Sequence, residues 1–155
     1  MGTMGLVSVS LSGLEVVIAL HTQLDPLPEE WTAYIDLHVN LKKRNGGDLS
    51  RIRNFVVTDG GAPNVKQRAL MSDAFGGAGK VAVITNALSN PIKRGVATAI
   101  SWANPSFKAL APDQWRDALR HLNLENQMQP ILLELSRLQV KLKPVASLSL
   151  LVAAQ

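Results

Sequence analysis

Three features of the sequence predict an α/β fold with a largely parallel sheet. Short apolar runs rich in β-branched residues alternate along the chain with segments of helical periodicity. Glycine, asparagine and proline separate these segments. The chain has 155 residues, of which 46% are hydrophobic and 18% charged, as in one globular domain. Strands alternating with helices favour right-handed crossovers, so we expect a sheet of about four to five strands with flanking helices.

The chain begins with a predicted β-hairpin. Residues 15–21 form a β-branched run of strand length, and the alternating residues 7–11 can pair with it across Ser12 and Gly13. This hairpin would add an antiparallel strand, so the sheet is expected to be mixed.

A helix is predicted after the hairpin. Pro28 stands in its first turn, and Glu29 and Glu30 follow, where acids complement the positive end of the helix dipole. An asparagine and two glycines at 45–47 end the helix. Its inward stripe consists of Trp31, Tyr34, Ile35, His38 and Leu41.

The next segment predicts a strand and a helix. Residues 52–58 are largely apolar, which is typical of a strand covered on both faces. The following helix is expected to run to about Phe75, and glycines at 76–79 end it. Its predicted inner face consists of Val65, Ala69 and Leu70.

The same alternation then repeats. Residues 81–85 predict a buried strand, and a helix is expected from Ser89 to about Ala103. Residues 107–110 predict a short strand, and Ala111 opens another helix. The inner side of that helix carries Trp115, Ala118, Leu119 and Leu122.

The last predicted helix, from about 126 to 142, has an apolar seam that must be covered. One interpretation is that the seam packs back on the same domain; the other is that it contacts a partner or a second copy of the chain. We expect an α/β domain over 1–124 and an extension over 125–155, made of this helix and an apolar tail. The seam residues are Met128, Ile131, Leu135, Leu138 and Leu142.

A candidate site lies in two turns that follow predicted strands. Ligands and partners tend to bind beyond the carboxyl ends of parallel strands, where the turns after 52–58 and 81–85 would emerge side by side. Free amides at the starts of the following helices can hold an anion. Alternatively, these residues only shape the turns and cap the helices. The candidate residues are Asp59, Gly60, Gly61, Asn64, Arg68, Thr85, Asn86 and Arg94.

Three segments carry a resemblance to a known family: residues 55–64 with Gln67 and Arg68, residues 81–85, and residues 94–96 with 99–105. Over roughly 15–124 the chain resembles the small bacterial STAS-type, or SpoIIAA-like, domains, which are anti-sigma-factor-antagonist-like. The resemblance implies a small mixed sheet flanked by helices. It also implies a regulatory role through protein contacts, without chemistry.

The chain departs from phosphorylated STAS members at one turn. Those members carry a serine at the start of the helix after a central strand, whereas in the corresponding turn, 58–63, Thr58 is the only hydroxyl. A residue at a strand end, such as Thr58, is expected to be structural. A further hypothesis is that Asp59 acts as a permanent negative charge, which would make the surface constitutively active.

Composition and spacing argue against several functions. The chain has no cysteine, and His21, His38 and His121 lie on different elements without ligand spacing, so no metal or other cofactor is expected. A net charge of +4 is too small a bias to indicate nucleic acid. The amino terminus lacks a signal-peptide pattern and the apolar tail is too short to span a membrane. We therefore expect a cytoplasmic protein without membrane or nucleic-acid partners.

The sequence thus predicts a non-catalytic regulatory or scaffolding module and not an enzyme. Its expected partner is another protein bound at the two turns, or a second copy bound through the last helix. The alternative is a small-ligand or anion-binding domain that uses the same turns.

Overall fold

One mixed sheet organises the fold, which a computed structural model describes over residues 1–75, 79–89 and 106–155. The strands are β1 Met4–Leu11, β2 Leu14–His21, β3 Ile52–Thr58, β4 Lys80–Thr85 and β5 Phe107–Leu110. They lie in the order β1-β2-β3-β4-β5. β1 and β2 are antiparallel, and β2 to β5 run parallel. The predicted α/β class, with a mixed and largely parallel sheet, is confirmed.

A two-residue turn closes the predicted hairpin. Ser12 and Gly13 have φ angles of 52° and 74°, and two consecutive left-handed residues are what a type I′ turn requires. Leu11 pairs with Leu14 across this turn. The hairpin prediction is therefore confirmed.

Helices lie on both faces of the sheet. They are α1 Pro28–Arg44, α2 Val65–Phe75, α3 Trp115–Leu122, α4 Met128–Gln139 and α5 Ala146–Ala153. α1 and α2 contact each other on one face, and α3, α4 and α5 pack on the other. The helix predicted from Ser89 to Ala103 falls largely outside the described residues. Just before it, the structure describes a short 3-10 turn at Asn86–Ser89.

Buried polar side chains fix α1 on the sheet. The Tyr34 hydroxyl donates to Oδ1 of Asn54 on β3 at 3.1 Å, and Nε2 of His38 lies 3.0 Å from the same oxygen. Nδ1 of His38 lies 2.9 Å from the Tyr34 carbonyl oxygen one turn earlier. The predicted bounds of α1 and its inward Trp31, Tyr34, His38 and Leu41 are confirmed.

The predicted inner face of α2 is wrong. Val65, Ala69 and Leu70 are exposed, whereas Gln67 is buried. Gln67 is held by its side-chain amide, which donates to the Pro26 carbonyl oxygen at 3.0 Å, and by its own carbonyl, which accepts from the indole N–H of Trp31 at 2.8 Å. These bonds rotate the helix so that a polar residue faces inward.

The larger core lies between the sheet and α3, α4 and α5. Alternate residues of β2 point to this face and pack with residues from both 1–124 and 125–155. The seam of α4 packs here, on the chain's own sheet, which is the first of the two interpretations. Met128, Ile131, Leu135 and Leu142 are buried in this core and Leu138 is half-buried against it, so the seam is not a free surface for a partner or a second copy.

The apolar tail forms a helix that the sequence interpretation missed. α5 places Leu148 and Leu151 in the same core, and Val145 precedes it as another buried residue. Residues 125–155 therefore share a hydrophobic core with residues 1–124. In the described parts of the chain, no helix combines the length and apolar content that crossing a membrane requires.

Candidate functional site

The two predicted turns lie side by side. In the parallel pairing of β3 with β4, Thr58 is the register partner of Thr85, so both strands end at the same level. The turn at 59–64 follows β3 and the turn at 86–89 follows β4. This part of the prediction is confirmed, and we call the region formed by both turns the strand-end surface.

The chain's own last helix occupies one side of the strand-end surface. The two carboxylate oxygens of Asp59 accept hydrogen bonds from the main-chain amides of Ala146 and Ser147, each at 2.7 Å. Amides in the first turn of a helix have no partner inside it. Asp59 therefore caps α5, and its charge complements the helix dipole. Since the carboxylate is engaged within the chain, the structure gives no support to the hypothesis of a free permanent charge.

Ser147 joins both turns to α5. Its buried hydroxyl donates to the Thr58 carbonyl oxygen at 2.9 Å and accepts from the Asn86 amide at 3.0 Å. Sequence reasoning missed this contact because the partners lie far apart in the chain, and a serine in an apolar tail carries no local signal of such a role.

The glycines of the first turn permit a close approach of main chains. The Thr58 hydroxyl donates to the Gly61 carbonyl oxygen at 2.8 Å and accepts from the Gly60 amide at 3.0 Å. The Gly61 amide donates to the Thr22 carbonyl oxygen at 3.0 Å. A Cβ atom on Gly61 would lie 2.1 Å from the Leu24 carbonyl oxygen, so a side chain cannot be accommodated without moving the backbone.

Asn64 caps α2. Its side-chain oxygen accepts from the Gln67 amide at 2.8 Å, and the Gln67 side-chain oxygen accepts from the Asn64 amide at 3.0 Å. This reciprocal pair is a capping box. The spacing of Asn64 and Gln67 in the sequence is the signal that could have identified it.

The other predicted residues on this surface also bond to the chain itself. The Thr85 hydroxyl accepts from the Ala87 amide at 3.0 Å, and Nη1 of Arg68 donates to the Pro63 carbonyl oxygen at 3.2 Å. Arg94 lies outside the described residues.

Seven main-chain amides of the two turns already donate hydrogen bonds within the chain. Those of residues 59–62, 64, 86 and 87 each donate to an oxygen of the chain. An anion site built from a turn needs several amides that point at the ligand without another acceptor. These positions therefore serve the fold, as the second interpretation of the turns predicts.

Glu30 anchors the amino terminus of the chain near the strand-end surface. Its carboxylate accepts from the amides of Thr3, Met4 and Leu27 at 2.9, 3.1 and 2.9 Å, and from the Thr3 hydroxyl. Burial works to raise the pKa of Glu30, but these hydrogen bonds outweigh it and hold the pKa below its usual value. The Glu30 carboxylate thus stabilises the packing of the amino terminus against α1.

A buried histidine lies below the same surface. His21 ends β2 and is the register partner of Thr58. Its Nδ1 atom has no hydrogen-bond partner among the residues that the structure describes. Burial lowers the pKa of His21 to about 4, although the carboxylates of Glu30 and Asp25 act in the opposite direction.

The buried His21 predicts a pH-dependent stability. The unfolded chain takes up a proton near the ordinary pKa of 6.5, whereas the folded chain does so only near 4, so the free energy of unfolding should fall as the pH drops through this range. We expect His21→Gln to flatten the profile, measured by urea denaturation at about pH 8 and about pH 5. Burial also lowers the pKa of His38, so a smaller slope of the same sign should remain. An unchanged slope in the variant would contradict this prediction.

Exposed aliphatic side chains mark the other side of the strand-end surface. Leu24 is 56%, Leu27 40% and Val65 74% exposed. They lie on the loop between β2 and α1 and at the start of α2. Two hydrogen bonds join these segments. The Gln67 side chain donates to the Pro26 carbonyl oxygen, and the Ala62 amide donates to the Asp25 carboxylate at 3.2 Å. We call Leu24, Leu27 and Val65 the loop patch.

Across 1–75, 79–89 and 106–155, no group of three or more histidine, aspartate or glutamate side chains lies close enough to hold a metal ion. Comparisons of the chain with protein-family models, with curated proteins and with solved structures found no match.

Proposed function

We propose that this chain is a non-catalytic regulatory or scaffolding module that binds another protein through the loop patch. The observation that carries the proposal is the contrast between the two sides of the strand-end surface. On one side Thr58 and Asp59 accept hydrogen bonds from Ser147 of α5, which closes the surface there. On the other side three large aliphatic side chains stay exposed, on the β2–α1 loop and at the start of α2, which hydrogen bonds join.

The chemistry of the loop patch favours a protein partner. Single exposed aliphatic residues are ordinary on a protein surface, but neighbouring ones rimmed by polar residues favour a binding site. The exposed Asp25, Glu29 and Lys66 are close in sequence to the patch residues, so the same two segments carry apolar side chains and charges of both signs. Protein interfaces commonly combine an apolar centre with a polar rim.

A STAS-type assignment forms the finer part of this proposal. A mixed sheet with helices on both faces agrees with the architecture that the resemblance implies. In such a module, regulation would depend on contacts and not on chemistry. The missing acceptor serine favours a surface whose binding is not switched by phosphorylation.

Site-specific photo-crosslinking in cells tests the proposal. A benzophenone amino acid at position 24 or 65 should crosslink the same partner protein. The matched control is position 133, because Leu133 is also 52% exposed but lies on α4. Leu24→Asp should reduce the crosslink from position 65 by about tenfold, the effect of losing a central interface residue, without changing the thermal melting temperature by more than a few degrees.

Two outcomes would contradict the proposal. One is equal crosslinking from position 133, and the other is a crosslink from position 65 that Leu24→Asp leaves intact. A saturable heat on titration with nucleotides or inorganic phosphate would favour the small-ligand alternative.

A further inference from the structure

β1 is an edge strand with an open outer side. Within the described parts of the chain it pairs with β2 alone, and its register of eight consecutive partners from Met4 to Leu11 contains no bulge. On the outer side, the residues that the structure describes form a single bridge, from Gly2 to Leu142. Because Gly2 precedes the strand, this bridge leaves the rest of β1 uncovered.

The hairpin turn determines which backbone groups face outward. A two-residue turn is flanked by a hydrogen-bonded pair, here Leu11 and Leu14. Alternate residues of β1 therefore bond to β2, and the residues between them turn their N–H and C=O groups outward. From the described chain, no main-chain partner reaches the outward groups of Leu6, Ser8 and Ser10.

β1 lacks the features that normally protect such an edge. Proteins block strand edges with lysine or other charges, proline, bulges, or a covering segment. The strand Met4–Leu11 has no charged residue and no proline. An uncharged, regular edge of this length is suited to pairing with another strand.

Apolar side chains line both sides of this free edge. On one face, half-buried Leu6 packs against the buried cluster of Met4, Trp31 and Tyr34. On the other face, half-buried Val7 and Val9 pack on the core beneath α4. Their remaining exposed surface would be covered if a strand were added to the edge.

We propose that β1 pairs with β1 of a second copy of this chain, antiparallel and about a two-fold axis at Ser8. In this register Ser8 faces its own copy and Leu6 faces Ser10 of the partner, so all three outward residues form hydrogen-bonded pairs, about six bonds in total. The two sheets join into one continuous sheet.

Self-complementarity is the reason for choosing a second copy. The three outward residues are spaced symmetrically about Ser8, so a two-fold axis there satisfies every free group on both strands. Because the strand is uncharged, two identical copies face each other without like charges. Val7 then lies opposite Val9 of the partner, which is an apolar pair.

Light scattering on the full chain tests this inference. We expect the wild type to have twice its chain mass of 16.7 kDa. Ser8→Lys and Ser8→Glu each place two like charges face to face and should weaken the dimer by at least about tenfold. A mixture of the two variants should form the dimer again, because opposite charges then meet.

A cysteine variant tests the register independently of these charged variants. The chain has no cysteine, so Ser8→Cys introduces a single thiol on each copy, about 5.5 Å apart between Cα atoms in the proposed pair. A short bifunctional thiol reagent should link Ser8→Cys rapidly and leave the control Ser136→Cys, exposed on α4, unlinked. A monomeric wild type, or equal linking of both variants, would overturn the proposal.

Discussion

Leu135→Ala should lower the free energy of unfolding by about 3 kcal/mol. Leu135 lies on α4 with no exposed surface and belongs to the core that includes β2 and β3. Removing its side chain loses buried apolar contacts and leaves a cavity that the surrounding sheet cannot fill. Urea denaturation followed by circular dichroism measures the change.

Leu133→Ala is the matched control on the same helix. Leu133 is 52% exposed, so its replacement should change the free energy of unfolding by no more than about 0.5 kcal/mol. Equal effects of the two substitutions would mean that α4 does not pack in the way described.

Gly61→Ala should also cost on the order of 3 kcal/mol, for a steric reason. The added Cβ would lie 2.1 Å from the Leu24 and 2.6 Å from the Thr22 carbonyl oxygen. Both neighbours are main-chain atoms, so the clash is relieved only if the turn at 59–64 and residues 22–24 move apart. Thermal and urea denaturation report the loss of stability.

Gly46→Ala separates this steric effect from the general effect of replacing a glycine. Gly46 has a φ of +65°, with nothing within 4 Å of the added Cβ, so only left-handed strain remains, about 1 kcal/mol. If Gly61→Ala were the milder of the two, the close packing of the turn against residues 22–24 would be incorrect.

Most of the sheet could be predicted from the sequence because its signals are local. The strands at 52–58 and 107–110 were predicted with the bounds that the structure has. β-branched runs flanked by turn residues contain the necessary information. The hairpin followed from two alternating runs and a glycine between them.

The orientation of α2 and the existence of α5 could not be predicted in the same way. Apolar residues on α2 favoured a face with Val65 and Leu70 inside, but the hydrogen bonds that Gln67 accepts from Trp31 and donates to Pro26 decide the rotation. α5 is capped by Asp59, which lies far away in the sequence. Capping by a distant carboxylate has no sequence pattern.

The two turns of the candidate site lie side by side as expected, and their described polar side chains form hydrogen bonds within the chain. The turns after β3 and β4 are adjacent because parallel strands end together. The polar groups of these turns form hydrogen bonds within the chain, because buried main-chain amides need acceptors in the folded protein. The loop patch was missed because exposed aliphatic residues in loops follow no periodic pattern.

Amide hydrogen exchange at the start of α5 tests most directly the claim that α5 closes one side of the strand-end surface. Among the described residues, the Asp59 carboxylate is the only hydrogen-bond partner of the Ala146 and Ser147 amides, so these amides should exchange slowly in the wild type and quickly in Asp59→Ala. Rapid exchange of both amides in the wild type would contradict the claim.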